Sequence, residues 1–163
     1  MQQNFLKIAT IIALELIVMY HLTDAAEKIT RITLAVLKRA GRIIADRLTI
    51  MKTAYLIERE YYRIRGERLT PLPYYKYTYG PFNGLITEAV EKLDLPKLDD
   101  YTYEIYDFDE RIAINDVILE KAIKKVLEIL EKTADSFRLV DYVHKLREVK
   151  DTPFGEEIKF SLI

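Results

Sequence analysis

Hydrophobic residues recur with helical spacing along most of the chain, and aromatic and β-branched residues concentrate in a few short segments. The first segment, Phe5 to His21, is apolar on nearly every side, which predicts a central or interface helix. Asp24, followed three residues later by Glu27, resembles an N-cap with its reciprocal partner and predicts a second helix that ends near Gly41. The apolar stripe of that second helix contains Ile29, Ile32, Val36 and Ala40.

The middle of the chain predicts a long helix, a strand and a shorter helix. The long helix runs from about Ala45 to Arg65 and ends at Gly66, with a row of core positions at Ile50, Ala54, Ile57, Tyr61 and Ile64. After a proline-containing loop, Tyr74 to Tyr79 is dense in β-formers and predicts a short strand. The Gly80-Pro81 pair ends it, and Pro81 is predicted at the start of a helix whose apolar face contains Phe82, Leu85, Ile86, Ala89, Val90 and Leu93.

The second half predicts a hairpin followed by two helices. Two strands, Tyr101 to Tyr106 and Arg111 to Ile114, flank the acidic turn Asp107–Glu110. A helix capped by Asn115 or Asp116 follows, then one with the apolar residues Phe137, Val140, Val143 and Leu146, and an extended tail to Ile158. The expected fold is mostly α with a small β element (α+β), with about six helices and a short antiparallel sheet or hairpin in a single domain, 1–163.

Composition places the chain among globular proteins, with 50% hydrophobic and 31% charged residues in 163 positions. No cysteine is present, so disulfides, thiol nucleophiles and thiolate metal sites are excluded, and a reducing cytoplasm is the expected location. Gln and Asn are scarce while Glu, Lys and Arg abound, a composition typical of thermophile proteins.

Charge is unevenly distributed, although the net charge is −1. Residues 28–68 contain eleven Lys and Arg against four Asp and Glu, a balance of +7, whereas residues 94–163 contain eleven against seventeen, a balance of −6. Such asymmetry is typical of a nucleic-acid or acidic-partner surface. It also fits two segments that pack together and neutralise each other.

The apolar N-terminal stretch raises the question of a membrane segment. Ile8 to Leu22 is only 15 residues long and contains Glu15, so this stretch falls short of a hydrocarbon core of about 30 Å. A signal peptide would have a stronger basic start than Lys7 alone. The sequence therefore favours no membrane contact, and predicts a buried helix or a homodimer formed through residues 5–22.

Catalytic and cofactor motifs are absent from the sequence, and no cofactor or metal is expected. The two histidines, His21 and His144, lie far apart, and neither Ser136 nor Ser161 sits in a G-x-S-x-G elbow. The five glycines never form a phosphate-binding loop. Asp141 could orient the imidazole of His144, so a hydrolase or transferase that uses Tyr55, Asp141 or His144 stays open as a minor alternative.

Tyrosines are concentrated around Lys76, at Tyr74, Tyr75, Tyr77 and Tyr79. Aromatic rings interleaved with cations can stack on bases and hold phosphates. Tyrosines also suit a protein interface, and a strand with one buried face would use them equally.

Four short motifs in the span from about Leu48 to Ile158 resemble the Panacea (SocA-like) antitoxin-associated domain family. They are Lys52-Thr53-Ala54-Tyr55-Leu56 (K-x-x-Y-L), Gly66-Glu67-Arg68-Leu69 (G-x-x-L), Tyr79-Gly80-Pro81-Phe82 (Y-G-P plus an apolar residue), and His144 followed by Gly155-Glu156-Glu157-Ile158 (G-x-x-I). The chain departs from the family pattern in having Met51 where members often carry Gln, and no Trp after the histidine. Residues 1–22, the apolar N-terminal helix, fall outside the resemblance.

The resemblance implies a helical, non-enzymatic domain of residues 48–158 that neutralises a cognate toxin by direct binding, without a cofactor. The partner-binding surface is expected to include the motif residues Lys52, Tyr55, Tyr79, Gly80, Pro81, Phe82 and His144. The toxin would be the product of an adjacent gene.

A DNA-binding regulator is the alternative function. The element order loosely resembles a winged helix, with Phe82 to Leu93 as recognition helix, but Glu88, Glu91 and the acidic turn oppose phosphate contact there. A nucleic-acid surface would more plausibly use the basic 28–68 region, specifically Lys28, Arg31, Lys38, Arg39 and Arg42.

Overall fold

The computed structural model describes residues 1–108 and 116–163. Across these residues the chain forms six α-helices and two small antiparallel sheets, which confirms the predicted mostly helical α+β class. The helices are α1 Gln2–Arg39, α2 Arg47–Arg65, α3 Gly84–Lys92, α4 Val117–Lys132, α5 Ser136–His144 and α6 Arg147–Lys150. The strands are β1 Ile44–Asp46, β2 Tyr75–Tyr77, β3 Gly80–Phe82, β4 Lys97–Asp99 and β5 Thr102–Glu104, and a 3₁₀ turn, Phe160–Leu162, follows near the C-terminus.

Helix α2 lies at the centre of the fold and packs against α1, α4 and α5. Its start is fixed by Asp46, whose carboxylate accepts a hydrogen bond from the Thr49 backbone N–H at 2.7 Å, as an N-cap does. The predicted core row is confirmed over its first four positions, Ile50, Ala54, Ile57 and Tyr61. Ile64 is 43% exposed, because it lies in the last turn, where the helix emerges into solvent.

Gly66 ends α2 in the left-handed conformation, with φ at +77°. Alanine there would keep the turn but place a Cβ on a left-handed backbone. We expect Gly66→Ala to lower the free energy of unfolding by about 1 kcal/mol. Gly84→Ala is the matched control, because Gly84 begins α3 without a positive φ and its new Cβ would meet Phe82 only at ordinary contact distance. Urea denaturation of both variants should show loss for the first and none for the second.

Helix α1 is one continuous helix, so the prediction of two helices separated by a cap at Asp24 is wrong. No glycine or proline lies between Phe5 and Gly41, and no residue there stops the helix. Its second half begins the core at Ala25, and the predicted stripe at Ile29, Ile32 and Val36 is buried. Residues 1–21 are exposed, so the expectation that this stretch is buried within the chain is also wrong.

The aromatic segment forms a hairpin. Strand β2 lies within the predicted strand, but Gly80-Pro81 does not begin a helix; it belongs to β3, which pairs with β2. The following helix is capped instead by Asn83, whose side-chain oxygen accepts from the Leu85 backbone N–H at 2.9 Å. Phe82 is therefore a strand residue. The C-terminal tail extends this hairpin, since the Ile158 N–H donates to the Tyr74 carbonyl at 2.8 Å.

The second sheet has the order β1-β5-β4. Strand β1 was not predicted, because two of its three residues, Ala45 and Asp46, were assigned to the start of the long helix. Strand β5 lies within the predicted Tyr101–Tyr106 strand, whereas the predicted partner strand Arg111–Ile114 and the Asn115 cap lie outside the described residues, as does the end of the acidic turn. Asp116 caps α4 as predicted, accepting from the Ile118 N–H at 2.9 Å.

Candidate partner-binding cleft

A cleft of about 1070 Å³ opens beside the first turns of α2 and α3. Its walls come from the β2–β3 hairpin, the β4–β5 turn and the start of α5. Four of the residues predicted from the sequence to bind a partner line this cleft: Lys52, Tyr79, Gly80 and Phe82. Motifs that are separate in the sequence therefore converge on one concave surface.

Exposed aromatic rings surround the cleft. Five of them line the cavity: Tyr77 is 41% exposed, Tyr79 52%, Phe82 38%, Tyr101 64% and Phe137 72%. From the sequence, Phe137 was grouped with the other apolar residues of its helix and was not identified as a binding residue. It lies in the first turn of α5, where the ring faces the cleft opening, while Leu139, Val140 and Val143 fill the inner face.

The β2–β3 hairpin lies against α5 at Gly80, whose φ is +91°. A Cβ added at Gly80 would lie 3.6 Å from Val143 Cγ1 and 3.9 Å from His144 Nε2. The backbone thus approaches α5 closely, and Gly80 lies next to His144. His144 is half-buried and does not line the cleft.

The Lys52 side chain links α2 to the β2–β3 hairpin. Its side chain is buried, and Nζ donates a hydrogen bond to the Pro81 carbonyl at 2.8 Å. Among the described residues no carboxylate pairs with the amine, and burial lowers the pKa of Lys52 to about 7. The first and third motifs of the resemblance are therefore joined by this bond, in which Pro81 contributes its backbone oxygen.

Tyr55 lies in the core and not at the cleft, although the sequence placed it with the partner-binding residues. Its ring is fully buried, and its hydroxyl donates to Glu148 Oε1 at 2.8 Å. Arg59 donates to the same carboxylate and also pairs with Glu60 at 3.0 Å. Burial is the main cause that raises the pKa of Tyr55. This network ties α2 to α6.

The tyrosine-rich segment divides between core and surface. Tyr74 is fully buried, Tyr75 and Lys76 are half-buried, and Tyr77 and Tyr79 are exposed. The Tyr77 ring contacts those of Phe82 and Phe154 edge-on, with centroids 5.5 and 5.7 Å apart. A strand with one buried face therefore explains part of the tyrosine run, and the remainder extends the exposed aromatic surface.

Charged side chains beside Tyr101, on the β4–β5 side of the cleft, pair with one another. The Arg47 guanidinium donates to Glu91 Oε1 at 2.9 Å and lies 5.3 Å from the centroid of the Tyr101 ring. Hydrogen bonds from Lys97, Tyr103 and Arg47 lower the pKa of the Glu91 carboxyl to about 2. These contacts place the Arg47 guanidinium over the Tyr101 ring.

Three carboxylates line the cleft, those of Asp46, Glu88 and Asp99, against two cations, Arg47 and Lys52. Arg47 already pairs with Glu91 outside the lining, and Lys52 is buried. The accessible charge of the cleft is therefore acidic.

The predicted nucleic-acid surface is largely engaged within the chain. Lys38 donates to the Phe108 carbonyl at 2.5 Å, and Arg39 pairs with Glu120 at 3.1 Å. Arg42 donates to the carbonyls that end α4, at Leu130, Thr133 and Ala134. Arg31 also has an interaction partner, and Lys28 is exposed. The basic and acidic segments thus neutralise each other in part.

The residues of the minor enzymatic alternative do not converge. Tyr55 is in the core, His144 packs beside Gly80, and Asp141 lines a separate hollow of about 350 Å³ between α4 and α5. Within residues 1–108 and 116–163, no group of three His, Asp or Glu side chains is placed to hold a metal ion.

Comparison with known proteins identifies no relative: no family model, no curated protein and no solved structure matches the chain.

Proposed function

We propose that this chain is a non-enzymatic protein-binding domain, of the antitoxin-like kind, that takes up a segment of a cognate toxin in the aromatic-rimmed cleft. The observation that carries the proposal is the set of five exposed rings around one cavity, Tyr77, Tyr79, Phe82, Tyr101 and Phe137. Large aromatic side chains that are exposed in the unbound chain gain burial free energy when a partner covers them.

Aromatic rings are the side chains that most often dominate binding energy at protein interfaces, because they bury a large area with little loss of conformational freedom. Some of the rings have aromatic or cationic neighbours in the unbound chain. Tyr101 stacks near Arg47, Phe82 packs on Tyr77, and Phe137 projects from the first turn of α5. A preorganised aromatic surface binds with a smaller entropic cost than a flexible one.

The charge of the cleft indicates the chemistry of the partner. Because Asp46, Glu88 and Asp99 exceed the accessible cations, the cleft fits a segment with an apolar or aromatic side chain flanked by Lys or Arg. The same acidic lining opposes a nucleic-acid backbone.

The family resemblance supports the same proposal. Lys52 of its first motif bonds the Pro81 carbonyl of its third, and Gly80 packs against the helix that carries His144. Two of the four motifs thus contribute to one wall of the cleft, and a third contacts that wall through His144.

Phe137→Ser is expected to raise the dissociation constant for the adjacent gene's product about 30-fold, corresponding to about 2 kcal/mol, with little change in folding stability. Tyr106→Ser is the control, since Tyr106 is 56% exposed but does not line the cleft. Titration calorimetry with both variants measures the difference. Equal affinities for the two variants, or no complex with the wild-type chain, would count against the proposal.

A further inference from the structure

The N-terminal half of α1 extends from the body without packing on it. Every residue from 1 to 21 is exposed, and the core of the domain begins only at Ala25. The exposed side chains include the large apolar residues Phe5, Leu6, Ile8, Ile11, Ile12, Leu14, Leu16, Ile17, Val18, Met19 and Tyr20, each between 51% and 74% exposed. Water is an unfavourable environment for so much apolar surface.

The apolar surface surrounds the helix instead of forming one stripe. At about 100° per residue, Lys7, Thr10 and His21 fall within a sector of about 60°, and Glu15 lies alone elsewhere. The remainder of the circumference is apolar. A partner helix in a dimer covers a stripe of roughly 100° and would leave most of this surface in water. A lipid environment covers all of it.

The length of the exposed segment matches a bilayer. A window of 18 residues within α1 is apolar enough to cross a membrane, and none of that window is buried in the protein. At about 1.5 Å per residue, 18 residues extend about 27 Å, close to the hydrocarbon thickness of about 30 Å. Measured from Ile8 in the sequence, the apolar stretch is 15 residues long. Because the helix starts at Gln2, Phe5 and Leu6 lengthen its apolar part, and the Lys7 side chain can extend to the membrane interface.

We propose that residues 5–22 span a lipid bilayer and anchor the domain to it. The five basic residues Lys28, Arg31, Lys38, Arg39 and Arg42 follow the span within about 20 residues, whereas Lys7, in its first turn, is the one basic residue near the other end. This excess places the body on the cytoplasmic side. The anchor is rigidly joined to the body, because α1 continues without a break into the core. The inference departs from the expectation of no membrane contact, and it does not depend on the proposed toxin-binding function.

Glu15 is the one carboxylate inside the span, and its replacement provides a specific test of the inference. An acidic side chain near the middle of a bilayer opposes insertion. Replacement by leucine should strengthen insertion, whereas a helix used to form a soluble dimer would gain or lose nothing in lipid affinity.

The test is synthesis of the full chain in the presence of vesicles of phosphatidylcholine and phosphatidylglycerol, followed by carbonate washing and flotation. We expect the wild-type chain to float, Glu15→Leu to float more completely, and Leu16→Arg to reduce the floating fraction about tenfold or more. Leu98→Arg is the matched control, since Leu98 is a similarly exposed leucine on the body, 56% against 65% for Leu16. That variant should float as the wild type does.

Three results would overturn the anchor. One is a wild-type chain that stays in the soluble fraction as a dimer by light scattering, which makes a second copy the occupant of the helix. Another is equal flotation of the Leu16→Arg and wild-type chains. The third is a chain made in cells whose mass shows removal of the first segment, which would make that segment a cleaved signal.

Discussion

Glu148→Ala is expected to lower the free energy of unfolding by about 3–5 kcal/mol, the range found when one member of a buried ion pair is removed. The Glu148 side chain is 1% exposed and accepts hydrogen bonds from Tyr55 and Arg59. Removal of the carboxylate leaves the Arg59 guanidinium, which is 13% exposed, without its partner on α6, and leaves the Tyr55 hydroxyl buried and unsatisfied. The packing of α2 against α6 should therefore be weakened.

The control for Glu148 is Glu120→Ala. Glu120 pairs with Arg39 in solvent, with the two side chains 43% and 46% exposed, so its removal should cost no more than about 1 kcal/mol. Urea denaturation followed by circular dichroism measures both variants. A Glu148→Ala loss as small as that of Glu120→Ala would contradict the account of the buried network.

Lys52→Met is expected to stabilise the fold at pH 6 by about 2–4 kcal/mol. Burial lowers the pKa of Lys52 from 10.5 to about 7, so at pH 6 both states keep the proton and the folded state bears the cost of a buried ammonium group. At about 1.4 kcal/mol per pKa unit, protonated Lys52 costs up to about 5 kcal/mol below pH 7. Loss of the bond to the Pro81 carbonyl offsets about 1 kcal/mol of the gain.

The sign of the pH dependence distinguishes this effect from ordinary repacking. Because the folded-state pKa is depressed, the unfolded state binds more protons between pH 7 and about 10.5, and the stability of the wild-type chain rises across that interval. The advantage of Lys52→Met should shrink over the same interval and disappear near its upper end. Unfolding measured at pH 6, 8 and 10 tests this, and an advantage that is constant with pH would contradict it.

A buried amine without a carboxylate partner lowers the stability of the fold. Such a residue is expected where function requires it. Lys52 lines the floor of the cleft and holds the Tyr79–Phe82 segment through Pro81. Lys52→Met should therefore combine a more stable fold with weaker binding of the partner, a combination that a purely structural lysine would not produce.

Helical periodicity was sufficient to predict the central elements of the fold. The buried row of α2, its end at Gly66 and the Asp116 cap of α4 follow from local sequence, because caps and apolar spacing act over a few residues. The continuity of α1 was missed because Asp24 and Glu27 match a cap pattern. That pattern does not act where the preceding turn is already helical.

The cleft could be predicted only in part. Tyr79, Gly80 and Phe82 were identified from their motif, whereas Phe137 was grouped with the apolar residues of an amphipathic helix, which usually face the core. Its position two residues after the N-cap Asp135, at the start of a short helix, was the available signal. The burial of Tyr55 and the bond from Lys52 to the Pro81 carbonyl depend on how distant segments pack, and no local pattern contains that information.

The most direct test of the binding cleft is photo-crosslinking in cells that express the chain together with the adjacent gene's product. Benzoylphenylalanine placed at position 137 replaces an exposed ring of the cleft, and the same group at position 106 replaces an exposed ring outside it. We predict a covalent adduct with the neighbouring protein from position 137 and none from position 106. Crosslinking from position 106 alone, or from neither position, would contradict the claim that this cleft holds the partner.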